Sequence, residues 1–194
     1  MTKFFSLLFI LIFLKFNFAF ADSLLNLSEA NWNDIDSMTG QFKQTDHDGN
    51  IQYGNFYIQK PHRSLFEYKG QEEKILTSKF FLHIVNRKHF IIDSYPLGNS
   101  PLKYLLLENL DLEKKFDLVF TETKDQFSIN LYQKGGNINL EKVTLYFNRD
   151  SLELKKWDIF NEFGEKTSLE FTNIVKNISI SADKFVIHYN NSDE

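Results

Sequence analysis

His47, His62, His83, His89 and His188 are the side chains of this sequence best suited to holding a metal or moving a proton. No two of them stand at the close spacing that puts a ligand pair on one turn or one helix face, so no metal site is expected. The run Asp46-His47-Asp48-Gly49-Asn50 has oxygen donors in the order that opens a calcium loop. It lacks the downstream glutamate such a loop needs, and Gly49 beside two polar residues reads instead as a hairpin tip. The nucleophile elbow G-x-S-x-G, the phosphate loops and H-E-x-x-H are all absent. With no cysteine there is no disulfide, thiol nucleophile or lipid-modified thiol. The chain is therefore expected to bind rather than catalyse, with no cofactor.

What remains is apolar side chains at the period of a strand. In residues 54–58 alternation puts Gly54, Phe56 and Ile58 on one face, and in 64–68 it puts Ser64, Phe66 and Tyr68 there, with Arg63, Leu65 and Glu67 opposite. Phe42, Val143, Leu145, Phe147, Trp157, Ile159, Leu169 and Phe171 extend the series. Such a set is either a filled core or the wall of an apolar cavity. A half-closed barrel favours the cavity, because its concave surface exceeds what its own side chains fill.

The elements that must position these residues follow from the punctuation of the chain. Leu24, Leu25, Leu27, Ala30, Trp32 and Ile35 predict an amphipathic helix over 23–37. After Gly40, short segments alternate with turns, predicting strands at 39–45, 51–59, 64–69, 73–78, 80–86, 89–94, 116–122, 126–133, 140–148, 152–160 and 167–173, with a last one at 184–189. Asn99-Ser100-Pro101 with Leu102, Leu105, Leu106 and Leu110 predicts a short helical insert. The expected fold is mainly β with α: an incomplete, unclosed antiparallel barrel of about eleven strands, capped by the N-terminal helix and the central insert.

Residues 1–21 are expected to be removed before folding. Lys3, the apolar run Phe4–Leu14 and Ala19-Phe20-Ala21 have the order of a cleaved signal peptide, with the cut after Ala21. Residues 22–194 then form one domain in the periplasm. Setting Lys3 and Lys15 aside leaves 20 basic against 26 acidic side chains, a balance that argues against nucleic acid as a partner.

Phe42-Lys43-Gln44-Thr45, the stretch Gly54-Asn55-Phe56-Tyr57-Ile58-Gln59-Lys60-Pro61-His62-Arg63, and Phe66-Glu67-Tyr68 together resemble the outer-membrane lipoprotein carrier (LolA) family pattern F-x-Q, G-x-F-x-[IL]-x-[KR]-P-x-R and [FW]-x-Y. Asp158 to Thr167 resembles that family's late D-x-x-G-x-x-T turn, with Asn161 where aspartate is usual. The resemblance implies a monomeric periplasmic carrier whose cavity encloses lipoprotein acyl chains. An inner-membrane lipoprotein-releasing ABC transporter would load it, and an outer-membrane lipoprotein receptor would unload it. On that reading Phe42, Phe56, Ile58, Phe66, Tyr68, Leu145, Phe147, Trp157, Ile159 and Phe171 line the cavity. Leu24, Leu27, Trp32 and Ile35 belong to the lid helix. The family's lid is locked by an arginine of the K/R-P-x-R region, a role open here to Arg63 or, less well for want of a planar fork, to Lys60. The other reading of the same half-barrel is a soluble periplasmic sensor that binds lipids or lipoproteins without shuttling them.

Overall fold

The computed structural model describes residues 24–97, 101–134, 142–161 and 163–189; the expected signal peptide and its cleavage site lie outside them. Eleven strands form one antiparallel sheet: β1 (Ser37–Thr45), β2 (Ile51–Gln59), β3 (Arg63–Tyr68), β4 (Lys74–Thr77), β5 (Phe81–Val85), β6 (Ile91–Pro96), β7 (Phe116–Glu122), β8 (Gln126–Gln133), β9 (Lys142–Asn148), β10 (Leu154–Phe160) and β11 (Lys166–Lys176). Their spatial order is β6-β5-β4-β3-β2-β1-β11-β10-β9-β8-β7. The chain thus starts at the centre, walks outward by hairpins to β6, crosses to the far edge at β7 and returns by hairpins to close β11 against β1. Because β6 and β7 never pair, the barrel stays open.

Local chemistry explains the turns. Asp46 Oδ1 accepts from the backbone N–H of Asp48 at 3.0 Å and of Asn50 at 2.9 Å, and Gly49 takes φ +84°, so the supposed calcium donors are consumed by the β1–β2 hairpin itself. The side-chain amide of Asn50, also bonded to Asp46, holds that carboxyl below its usual range.

Two expectations are corrected and a third is refined. Helix α1 covers 24–33 of the described residues, not 23–37: Ile35 lies in the link to β1, and Met38 is already in β1. Asn177 ends the helix's territory, its Oδ1 accepting from Asp36 N at 2.9 Å and its Nδ2 donating to Asp34 O at 3.0 Å. The strand expected at 184–189 is replaced by a 3-10 turn, Ala182–Phe185, and a single parallel bridge of His188 with Phe90. The apolar Phe185 and Ile187, which suggested a strand, instead cover the convex face over Leu65, Leu76 and Val85. The central insert is two short helices, α2 (Pro101–Leu105) and α3 (Leu112–Lys115), the second capped by Asp111 accepting from Lys114 N at 3.0 Å.

The main core lies on the concave side, where α1 and the insert pack against the inward residues of β1–β3 and β7–β11. Leu24, Leu25, Ser28 and Trp32 share the buried face of α1 at helical period. Leu27 points the other way and is 51% exposed.

Candidate functional site

The wall of residues expected to line a cavity is built by cross-strand register. Phe42 faces Gly54 and Phe171 on its two neighbours, Gly54 faces Tyr68, Phe56 faces Phe66, and Trp157 faces Leu145 and Leu169. Same-face neighbours in an antiparallel sheet are close enough to touch, and here they form an aromatic layer. Phe42 meets Phe66 and Tyr68 edge-on at centroid distances of 5.4 and 5.1 Å, and Phe171 meets Phe56 and Trp157 at 5.1 and 4.9 Å. Phe147 stacks on Phe127 at 5.1 Å.

Of the expected wall residues, Phe42, Phe56, Ile58, Phe66, Leu145, Phe147, Trp157 and Phe171 are all buried in this one cluster, with Tyr68 packed against it. Ile159 departs from the set. Its register with Val143 and Thr167 puts it on the concave face, but β10 ends one residue later and Ile159 is 38% exposed at the rim. Sequence reasoning passed over Phe127, Ile129 and Leu131, which are fully buried in the same cluster. Their strict alternation in β8 was the signal that could have placed them.

Tyr68 donates its hydroxyl hydrogen to Gln44 Oε1 at 2.7 Å, and burial pushes its phenol up to about 12. An unfolded tyrosine loses its proton at about pH 10. The native state therefore holds one more proton between about pH 10 and 12, and stability falls as pH rises through that window. An ultraviolet phenolate titration should show one phenol lagging to about 12, and Tyr68→Phe should remove that step. An unchanged curve in the variant would place the delayed phenol elsewhere.

The lid over this wall is held by polar bonds at its edges. Trp32 Nε1 donates to Leu105 O at 3.0 Å, joining α1 to α2. Asn33 exchanges two bonds with the Leu110 backbone, donating at 3.1 Å and accepting at 2.7 Å. Glu29 Oε1 accepts from Leu112 N at 2.7 Å, and burial of that carboxyl raises its pKa. Asn31 reaches the β9–β10 turn through Leu152 O at 3.1 Å. From the sheet, Lys60 Nζ donates to Trp32 O at 2.7 Å and, more weakly, to Asn33 O at 3.5 Å. Burial there lowers the Lys60 pKa, opposed by the nearby carboxylates of Asp36, Asp34 and Glu108. Arg63, the favoured of the two residues for holding the helix, is elsewhere. Its guanidinium stacks over the Phe185 ring at 5.6 Å, among the residues that bury the convex face. The reason is register: Arg63 is opposite in parity to Ser64 and Phe66, so it cannot turn toward the helices.

Small partly open gaps of about 20 and 10 Å³ lie between α1 and the wall, the second also bordered by the insert. Each is about the size of one water. The space between roof and wall there is thus nearly filled by the protein's own side chains.

Fold and interior define a class: half-barrels whose concave apolar face is roofed by helices. Within that class the chain belongs to the outer membrane lipoprotein carrier protein LolA family, whose profile matches residues 33–188. It is 33% identical over 90 residues to an outer-membrane lipoprotein carrier protein of Dechloromonas aromatica (strain RCB), covering 46% of this chain and 42% of that one. It is 29% identical over 138 residues to a protein of the same name from Ralstonia nicotianae (strain ATCC BAA-1114 / GMI1000), covering 68% and 63%. The chain therefore spans less than two thirds of either relative. Among solved structures, an uncharacterized conserved protein from Thermus thermophilus has the same fold, with TM-score 0.52, 9% identity and coverage of 88% of this chain and 99% of that one.

Proposed function

We propose that this protein is a periplasmic carrier that shields lipoprotein acyl chains in its apolar interior and moves them from the inner membrane to an outer-membrane receptor. The observation that supports it most is the contrast between wall and roof. The wall is a continuous hydrogen-bonded sheet, whereas the roof is three short helices attached through a handful of side-chain bonds. An acyl chain of about fifteen methylenes gains on the order of 12 kcal/mol from leaving water. That gain is set against side-chain bonds of about 1 kcal/mol each and against the burial of roof residues such as Leu25, Trp32, Leu106 and Leu112, whose place on the wall the acyl chain takes.

On this reading the free protein is closed and loading lifts α1 and the insert away from the wall. No nucleotide site is encoded, so the energy for loading comes from a membrane partner, the inner-membrane lipoprotein-releasing ABC transporter. Unloading runs downhill to a receptor of higher affinity. The test is to add residues 22–194 to spheroplasts making labelled lipoproteins and look for those lipoproteins in soluble complex. Tight binding of free lipid with no release would indicate a sensor, and turnover of ester bonds would replace both readings by an enzyme.

Because it donates to the Trp32 carbonyl, Lys60 is the residue this reading takes as the lid lock. Lys60→Leu should raise amide hydrogen exchange in residues 24–33 by about tenfold or more, the equivalent of a lost charge-assisted bond. Arg63→Leu should leave those amides alone and loosen residues 182–187 instead. The reverse pattern would return the lock to Arg63.

A further inference from the structure

Every buried polar atom in a folded protein calls for a partner, and among the described residues two side-chain atoms have none: Gln59 Oε1 and the indole Nε1 of Trp157. Gln59 pairs with Arg63 and Ser37 on the convex face. Trp157 is the one on the cavity wall, in β10, only 3% exposed, with Leu145 and Leu169 as its cross-strand neighbours. The chain's other tryptophan, Trp32, has its N–H satisfied by Leu105 O. The edge-to-face contact of Trp157 with Phe171, at 4.9 Å and 87°, offers a π face, a much weaker acceptor than oxygen.

A buried N–H without an acceptor costs the desolvation of that group with nothing to offset it. Phenylalanine would present a smaller ring to Phe171 without that cost, so the indole carries a donor that its packing does not use. Buried indoles ordinarily find an acceptor, and apolar ligand sites use a few placed polar groups to fix orientation. The wall neighbours Leu145, Leu169 and Phe171 supply no side-chain oxygen.

We propose that the Trp157 indole N–H, unpartnered on the apolar wall, is the hydrogen-bond anchor for the ester or amide carbonyl of an acylated ligand. This rests on the carrier reading of the same interior and adds a selectivity to it. A pure hydrocarbon chain leaves the N–H unpaired. A free fatty acid would bury a carboxylate among apolar residues with one neutral donor, at a large desolvation cost. Ester- and amide-linked chains, the form in which acyl groups are attached to a protein or glycerol, are neutral and carry the matching acceptor.

The test compares a synthetic dipalmitoylglyceryl-cysteinyl peptide with its dialkyl ether analogue, binding each to wild type and to Trp157→Phe. The wild type should prefer the ester by about tenfold, the worth of one hydrogen bond made in an apolar site. Trp157→Phe should lose most of the preference, whatever change its smaller ring makes to binding of the ether itself. Because the readout is a ratio, a modest change in stability does not disturb it. With two indole N–H groups in the chain, proton–nitrogen spectra of the wild type give a second measurement. One indole resonance should move downfield with the ester and not with the ether, and the moving one should be missing in Trp157→Phe. Equal preference in both proteins with no shift overturns the anchor and leaves the carrier reading intact. No binding of either lipid by wild type overturns both.

Discussion

Gly54→Ala is expected to destabilise the protein by about 3–4 kcal/mol, as much as truncating a large core side chain. A β-carbon on residue 54 would lie 2.3 Å from the carbonyl oxygen of Glu67 and 2.5 Å from Cε1 of Phe42. Neither can retreat cheaply. The carbonyl is backbone of β3, and the Phe42 ring, paired across the ladder with Gly54, is wedged edge-on against Phe66 and Tyr68. Glycine is thus used as the floor on which an aromatic ring lies, an arrangement that relieves the poor packing of glycine in a strand. The same device recurs at Gly40, whose β-carbon would meet Cε1 of Phe56 and the carbonyl of Thr172, both at 2.8 Å. Gly49 is the control. It has φ +84° and open space around it, so Gly49→Ala should cost only about 1 kcal/mol through the backbone. Urea unfolding of the three alanine variants gives the ranking. A Gly54→Ala protein within about 1 kcal/mol of wild type would mean the wall can slide and is no template for a fixed cavity.

That packing also explains how much could be read from the chain alone. Phe42, Gly54, Phe56 and Phe66 announce their face by period two, and the unclosed eleven-stranded sheet follows from hairpin-length spacing with a single long crossover. The failures have one cause in common: alternation says which residues share a face, not what covers that face or where the cover stops. Leu65 was rightly set opposite Phe66, but its burial on the convex side depends on Phe185, about 120 positions away in sequence. Ile159 has the right parity and sits at the rim. Arg63 and Lys60 differ by three positions, so they cannot share a strand face. It is Lys60 that reaches α1, because it lies at the β2–β3 turn, beyond the pleat, where Nζ can curl toward the Trp32 carbonyl. Leu27 shows the corresponding limit for a helix, since an apolar residue adds to a periodic count while standing off the buried arc. The insert's part in holding the lid, through the backbone groups of Leu105, Leu110 and Leu112, has no side-chain signature at all.

The second large effect is expected at Trp32, where the separate fastenings of the lid converge. Its ring is buried and borders both small voids, its indole N–H holds α2, its carbonyl receives Lys60, and the Lys60 ammonium stands 5.9 Å from its ring centre. Trp32→Ala removes the ring from between two voids of about 20 and 10 Å³ and merges them into a space of side-chain size. The expected cost to the closed state is about 3–5 kcal/mol. Most of that cost falls on the closed state alone, because an open lid no longer packs the ring against the wall. On the carrier reading proposed above, the open population therefore rises, and the apparent affinity for an acyl ligand rises with it, since a shut fraction weakens apparent binding. Trp32→Ala should thus bind an apolar fluorescent probe or a diacyl peptide more tightly than wild type, while melting at a lower temperature. It should also release lipoprotein to outer membranes more slowly, because the closing that helps to expel the cargo has lost its driving force. Trp32→Phe, which keeps most of the packing and loses the bond to Leu105, should fall between. Weaker acyl binding in Trp32→Ala, with the fold intact, would show that the residue belongs to the site itself and that the wild-type lid does not hold the cavity shut.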